Sequence, residues 1–133
     1  MQHIEMRQTH SVTGVILAGG RAIRMGGQDK GLVLLQNRPM VEWVLDRLSP
    51  QISKIFISAN RSEERYLEFG CPIVADSAAD FRGPLAGIAA VLARIDTPWL
   101  VSVPCDSPLI PLDFVERLHD RVLREGARVG VAH

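Results

Sequence analysis

The sequence has few cysteines, no net charge and no long apolar run, and each of these absences excludes a class of protein. Its 133 residues include only two cysteines, Cys71 and Cys105, which excludes a disulfide framework and a cysteine-rich zinc site. Fifteen basic and fifteen acidic residues give a formal net charge of zero, which argues against nucleic acid as a partner. Apolar runs stay below the roughly 18 residues that a membrane helix needs. We therefore expect a cytoplasmic protein that binds neither nucleic acid nor a membrane.

The composition that remains is 47% hydrophobic and 23% charged, which suffices for one buried core. Residues 1–11 are polar and lack the apolar centre of a secretory signal, so a flexible N-terminal tail is expected there. Residues 12–133 are predicted to form one domain because no linker or repeat divides them. Four histidines lack the spacing of metal ligands: His3, His10, His119 and His133.

Strand-like apolar runs alternate with helical patterns along the chain. The strand-like runs cover residues 12–18, 32–35, 54–59, 72–75 and 99–103. Helical spacing of apolar residues follows Pro39, Ser62, Pro84 and Pro111. Strands that alternate with helices over short connections favour an α/β domain, in which a parallel sheet lies between two layers of helices.

Several local expectations can be tested against a structure. Ser62 is predicted to cap a helix that ends before Gly70, and Pro111 to open the last helix, which Gly126 closes. Residues 127–132 alternate small or apolar residues as a strand does. The helix from Pro84 is predicted to bury the stripe formed by Leu85, Ile88, Ala89, Leu92 and Ile95.

A glycine-rich segment follows the first predicted strand. Residues 19–31 contain five glycines, which allow backbone N–H groups to approach a phosphate closely. Arg21, Arg24 and Lys30 outnumber the single acid Asp29, so the segment carries positive charge. Neither a P-loop motif nor a dinucleotide-binding G-x-G-x-x-G is present. Phosphate binding is the preferred interpretation, and a flexible surface loop is the alternative.

Polar residues follow three further predicted strands. Asp106, after the strand 99–103, is a suitable carboxylate for Mg²⁺ opposite a bound polyphosphate, or else the first residue of a turn. Asp76 has the same alternatives, with contact to a nucleotide as a third. Asn60 can bond a base or ribose, or serve as a turn residue at the entry to a helix.

A second glycine-bearing turn, at 83–87, and Cys105 lie near the predicted strand ends. The turn 83–87 runs into a helix, and Gly87 within the first helical turn predicts close approach of a ligand or of another backbone. A plain helix start at Pro84 is the alternative. Cys105 has no histidine near it in sequence, so we interpret it as a small buried core residue rather than a nucleophile.

The motifs together resemble those of the molybdenum cofactor guanylyltransferase (MobA) family. The matching segments are LAGGRAIRMGGQDKGL at 17–32, SANR at 58–61, VADS at 74–77, GPLAG at 83–87 and PCDSP at 104–108. The resemblance implies a Rossmann-like parallel-sheet nucleotidyltransferase domain, whose C-terminal part we expect to be absent from residues 12–133. It also implies transfer of GMP from GTP to the molybdopterin form of the molybdenum cofactor, with Mg²⁺ and release of pyrophosphate.

The resemblance also implies roles for individual residues. Lys30, Arg24 and Asp106 would be catalytic, and Asp106 would hold the metal. The residues that would contact the nucleotide are Leu17, Ala18, Gly19, Gly20, Lys30, Asn60, Asp76, Gly83, Gly87 and Asp106. Acceptor molybdoenzymes or their chaperones would be further partners. The alternatives are a nucleotidyltransferase that uses CTP or a sugar phosphate, and a GTP-binding module without catalysis.

Overall fold

A computed structural model of the chain describes residues 11–18, 24–25, 28–75 and 84–132. The predicted tail therefore lies outside the described residues, apart from Ser11. No helix in these ranges is long and apolar enough to cross a membrane. In chain order the elements are β1 (Val12–Leu17), β2 (Arg24–Met25), β3 (Gln28–Asp29), a 3-10 turn (Lys30–Leu32), β4 (Leu34–Leu35), β5 (Arg38–Pro39), α1 (Met40–Leu48), β6 (Ile55–Ser58), α2 (Glu63–Leu67), β7 (Ile73–Val74), α3 (Pro84–Leu92), β8 (Trp99–Pro104) and α4 (Phe114–Glu125).

The main sheet consists of four parallel strands in the order β7-β6-β1-β8. Strand β1 lies in the interior of the sheet, and five of its six residues are buried. Its sequence of β-branched and other apolar residues suits a strand that is covered on both faces. The predicted parallel sheet is confirmed.

Helices cover both faces of this sheet. On one face Ile16 of β1 packs in a cluster with Val41, Val44 and Leu48 of α1 and with Val115 of α4. On the other face Val15 packs with Phe56, Val74 and Val91, the last from α3. Successive residues of a strand point to opposite faces, so β1 supplies both layers of the core. The predicted three-layer αβα architecture is confirmed.

The ends of two helices differ from expectation. Helix α2 begins after Ser62, but Ser62 makes no side-chain cap and has φ +54°. Its backbone carbonyl instead accepts hydrogen bonds from the N–H groups of Arg65 and Tyr66, at 2.9 and 3.1 Å. Helix α4 begins at Phe114 rather than at Pro111. Proline fixes its own φ, which suits a turn before a helix as well as the first helical turn.

The prediction of a strand at 127–132 is wrong. Gly126 adopts φ +62°, and the N–H groups of Gly126 and Ala127 bond to the carbonyls of Leu123 and Val122, at 3.2 and 3.0 Å. This pair of bonds is a Schellman motif, which turns the chain at the end of a helix. Gly130 consequently lies against Val122, and residues 127–132 form no strand.

The buried face of α3 also differs from expectation. Leu85 and Leu92 are exposed, whereas Ala86, Gly87 and Val91 are buried. A Cβ on Gly87 would overlap Ser58 Oγ and lie 3.2 Å from Leu17 Cδ2. The helix therefore lies against the sheet through its smallest residues. The predicted close approach at Gly87 is made by side chains; another backbone is not among its nearest atoms, and approach by a ligand stays a prediction.

The revised face of α3 predicts the effect of two neighbouring truncations. Val91→Ala should lower the free energy of unfolding by about 2 kcal/mol, because two buried methyl groups are lost from the core. Leu92→Ala, at an exposed position, should change it by less than about 0.5 kcal/mol. Urea denaturation measures both. A larger loss of unfolding free energy in Leu92→Ala than in Val91→Ala would instead support the buried face predicted from the sequence.

The contact at Gly87 predicts that alanine there destabilises the fold. Gly87→Ala should lower the free energy of unfolding by about 1–3 kcal/mol through overpacking, despite the better helix propensity of alanine. Ser58→Ala removes the overlapping hydroxyl, so the double variant should recover part of the loss. A Gly87→Ala variant more stable than the parent protein would contradict the close packing of α3 on the sheet.

Candidate functional site

The carboxyl ends of the strands lie level with one another. In the parallel register Leu17 pairs with Ser58 of β6 and with Pro104 of β8. Hydrogen bonds continue just beyond the strands, from Ala18 N to Ser58 O at 2.8 Å and from Cys105 N to Leu17 O at 3.1 Å. The segments that follow the three strands are therefore neighbours at one edge of the sheet.

Strands β1 and β8 form the point at which the order of the sheet reverses. From β1 the chain builds outward to β6 and β7, and then returns to add β8 on the opposite side. Loops diverge from such a point, and the crevice between them is the usual ligand site of open α/β sheets. The predicted phosphate segment follows β1, and Asp106 follows β8. Asp106, and Ala18 at the start of the chain that leaves β1, are thus placed at this crevice.

Lys30 and Asp106 form an ion pair at this crevice. Lys30 Nζ lies 3.6 Å from Asp106 Oδ2, and their side chains are 28% and 31% exposed. A pair of this exposure contributes little to stability. It does place a cation and a carboxylate side by side where a ligand can reach both. An ammonium group can bind phosphate oxygens, and a carboxylate can bind a hard metal ion.

The backbone around Lys30 is held by contacts on both sides. Asp29 pairs with Arg24 across the β2–β3 ladder, and its Oδ1 accepts a hydrogen bond from the Tyr66 hydroxyl at 2.6 Å. A Cβ on Gly31 would lie 2.5 Å from the Tyr66 oxygen and 3.1 Å from Cys105 Cβ. Lys30 is thus fixed between a hydrogen-bonded residue and a close-packed glycine.

Tyr66 is a residue of this region that our sequence analysis did not identify. It is the only tyrosine of the chain, and it lies in the short and otherwise largely charged helix α2. Its side chain is fully buried. A single aromatic residue on a largely charged helix predicts that the helix packs on the core through that residue. Nothing in the spacing indicates Asp29 as its hydrogen-bond partner.

Cys105 is buried, as predicted. Burial, together with the negative charges of Asp106 and Asp29, raises the pKa of its thiol to about 12. Because the thiolate is the nucleophilic form, a thiol held so far above its usual pKa is unreactive at neutral pH. Cys105 therefore acts in packing, against Gly31 and beneath the crevice.

The described residues include some of the predicted site residues and not others. Ala18, Asn60 and Asp106 follow the ends of β1, β6 and β8, and Asn60 is exposed. Leu17 ends β1, and Gly87 packs on it. Arg24 belongs to β2, but its side chain is outside the described part. Also outside the described residues are Gly19, Gly20, Asp76 and Gly83.

The donor atoms at the crevice suit Mg²⁺. Asp106 offers a partly exposed carboxylate, which is the hard oxygen ligand that this ion prefers. Within the described ranges, no three histidine, cysteine, aspartate or glutamate residues come together as a metal cluster. Magnesium commonly takes one or two protein carboxylates and completes its shell with phosphate oxygens and water, so Asp106 fits that mode.

A groove of about 930 Å³ lies at the opposite edge of the sheet, beside the starts of β6 and β7. Its charged lining consists of Glu42, Asp46 and Glu68 with one cation, Lys54. Arg38 offsets part of this charge by pairing with Glu42 and Asp46, at 3.1 and 2.6 Å, and the net negative charge that remains disfavours a triphosphate. The charges therefore favour the crevice at Lys30 and Asp106 as the anion site.

Comparison with known proteins gives close relatives. The chain is 49% identical over 127 residues to a molybdenum cofactor guanylyltransferase of Acidovorax sp. (strain JS42), with 96% of this chain and 60% of the relative covered. It is 48% identical over 121 residues to one of Shewanella putrefaciens, with 91% and 62% covered. The chain thus spans about 60% of the length of these relatives.

Solved structures share the fold. Superposition on CMP:2-keto-3-deoxy-manno-octonic acid synthetase in complex with CTP gives a TM-score of 0.72 at 20% identity, covering 88% of this chain and 49% of that one. Molybdopterin-guanine dinucleotide biosynthesis protein A from Archaeoglobus fulgidus gives 0.63 at 23%, covering 86% and 57%.

A family profile agrees with the motifs and with the fold. The profile of the MobA-like NTP transferase domain matches residues 14–133, which include every segment that forms the crevice. The chain therefore belongs to the MobA-like NTP transferase domain family.

Proposed function

We propose that the chain binds GTP together with Mg²⁺ and forms the nucleotide site of an enzyme that transfers GMP to the molybdopterin form of the molybdenum cofactor. The single observation that carries the proposal is the placement of Lys30 beside Asp106 at the crevice between β1 and β8. Guanine and the molybdenum cofactor as substrates are supported by the names of the relatives. Both cysteines are free, which supports a reducing, cytoplasmic setting.

In the proposed complex Lys30 exchanges its partner. Its ammonium group would leave Asp106 and contact the phosphate oxygens, and the carboxylate of Asp106 would then be free to hold the metal ion. Lysine suits this exchange because its charge is a point at the end of a flexible chain. Leu17 and Ala18 would line the nucleotide from the end of β1, and Asn60 from the end of β6. Asp76, Gly19, Gly20 and Gly83 would complete the pocket, together with Gly87.

The reaction we propose is an in-line displacement at the α-phosphorus of GTP. A terminal phosphate oxygen of the pterin forms the new P–O bond, and the bond to the β-phosphate breaks, with its electron pair leaving on pyrophosphate. Because the attacking phosphate is already anionic, no general base is needed. Mg²⁺, when bound, would neutralise phosphate charge. Lys30 and Arg24 would orient the triphosphate and offset the charge that develops on it.

The phosphate role of Lys30 predicts a loss of nucleotide affinity. Lys30→Ala should weaken binding of Mg²⁺–GTP by about tenfold to a hundredfold, the range expected for a lost charge-assisted hydrogen bond. Lys54→Ala is a matched control, because it removes the only other lysine of the chain, at the opposite edge of the sheet. Isothermal titration calorimetry measures both. Equal affinity in Lys30→Ala and the parent protein would contradict the proposed site.

The metal role of Asp106 predicts the loss of a dependence on Mg²⁺. In the parent protein Mg²⁺ should tighten GTP binding, and in Asp106→Asn, a neutral side chain of the same shape, that gain should fall by about tenfold or more. Asp46→Asn, in α1, is the control. Titrations of GTP with Mg²⁺ and with EDTA measure the effect. A full Mg²⁺ dependence in Asp106→Asn would contradict the metal assignment.

A parallel titration of the parent protein with CTP tests the base. Tighter binding of CTP than of GTP would contradict guanine as the base.

A further inference from the structure

The hydrogen bond between Tyr66 and Asp29 is unusual for the position of Asp29. Asp29 directly precedes the 3-10 turn Lys30–Leu32, where an aspartate ordinarily caps the turn with its carboxylate. No side-chain cap is present, and Asp29 Oδ1 accepts a hydrogen bond from the Tyr66 hydroxyl at 2.6 Å instead. The carboxylate is thus turned away from its own turn and tied to helix α2.

The Tyr66 hydroxyl also lies against the residue on the other side of Lys30. A Cβ on Gly31 would come within 2.5 Å of the hydroxyl oxygen and 3.1 Å of Cys105 Cβ. Burial and the hydrogen bond to Asp29 both raise the pKa of Tyr66 above its usual value. The hydroxyl is therefore protonated at neutral pH and acts as the donor of this hydrogen bond.

The contacts of Asp29 and Gly31 fix the position of the Lys30 backbone, and hence of its Cα. Asp29 is bonded to Tyr66, and Gly31 is packed on Tyr66 and Cys105, so the backbone of Lys30 is held from both neighbours. Cys105 immediately precedes Asp106 and is bonded through its backbone N–H to Leu17 at 3.1 Å. Gly31 therefore lies between Tyr66 and Cys105, so the segment that carries the cation is packed on the strand end that carries the carboxylate.

We propose that Tyr66 is a positioning residue for Lys30: it fixes the Asp29–Lys30–Gly31 backbone so that the ammonium group is held at the crevice before the nucleotide binds. The inference rests on the proposed function, since it assigns to Tyr66 an effect on triphosphate binding that acts through Lys30. Holding a charged side chain in advance reduces the ordering that binding must otherwise supply.

The proposal is tested by a double-mutant cycle in nucleotide affinity. Tyr66→Phe removes only the hydroxyl and should weaken Mg²⁺–GTP binding by about fivefold in the parent protein. In the Lys30→Ala background the same change should alter affinity by less than about 1.5-fold, because the group that it positions is gone. If Tyr66 affected only stability, Tyr66→Phe would leave the affinity for Mg²⁺–GTP nearly unchanged both in the parent protein and in the Lys30→Ala background.

Thr13→Val provides the matched control. Thr13 is fully buried and its Oγ1 lies 2.7 Å from Thr97 Oγ1, near the start of β1, so the change also deletes one buried hydroxyl contact. It should lower the urea midpoint as Tyr66→Phe does and leave Mg²⁺–GTP affinity within about 1.5-fold of the parent protein. A loss of affinity in Thr13→Val equal to that of Tyr66→Phe would attribute the effect to stability and overturn the positioning role.

A second variant removes the partner of Tyr66. Asp29→Ala should weaken Mg²⁺–GTP binding by about the same factor as Tyr66→Phe, with no further loss when both are combined. If Lys30→Ala weakens binding but Tyr66→Phe and Asp29→Ala do not, or if their effects persist in the Lys30→Ala background, the positioning role is overturned and the proposed function stands. If Lys30→Ala itself leaves the affinity for Mg²⁺–GTP unchanged, the proposed function is overturned, and the positioning role of Tyr66 is overturned with it.

Discussion

The parallel pairing of β1 with a strand on each side is the constraint on which the site depends. A strand of VTGVIL composition is buried on both faces, and its backbone is paired to β6 and to β8. Parallel strands require helical crossovers, so every strand ends at the same edge and its loop starts there. The sheet thereby brings Ala18, Asn60 and Asp106 together although they are far apart in sequence.

Small residues then determine how closely the layers around this edge approach. Gly87 allows α3 to contact Ser58 and Leu17 at the ends of β6 and β1, on one face of the sheet. Gly31 allows the segment after β3 to contact Tyr66 and Cys105. Neither glycine has a positive φ, so their role is close approach and not a turn. The charged pair at the crevice is partly exposed and contributes little to stability by itself, and these packed contacts hold its backbone in place.

The sequence was sufficient to predict the sheet, both helical layers and the strand ends, because apolar periodicity and glycine placement are local signals. It was insufficient for α3, where hydrophobicity indicated Leu85 and Leu92 but the fit of small residues against the sheet selected the opposite face. The alternation at 127–132 resembled a strand, yet the turn at Gly126 directs that segment along α4. The contact of Tyr66 with Asp29 spans 37 residues and leaves no local pattern.

The central claim is that the triphosphate and its metal occupy the crevice between Lys30 and Asp106. A crystal structure of the chain with Mg²⁺ and a non-hydrolysable GTP analogue tests it most directly. We predict phosphate oxygens within hydrogen-bond distance of Lys30 Nζ and the metal ion on the carboxylate of Asp106. Nucleotide bound instead in the acidic groove at the opposite edge of the sheet, beside Glu42 and Glu68, would contradict the claim.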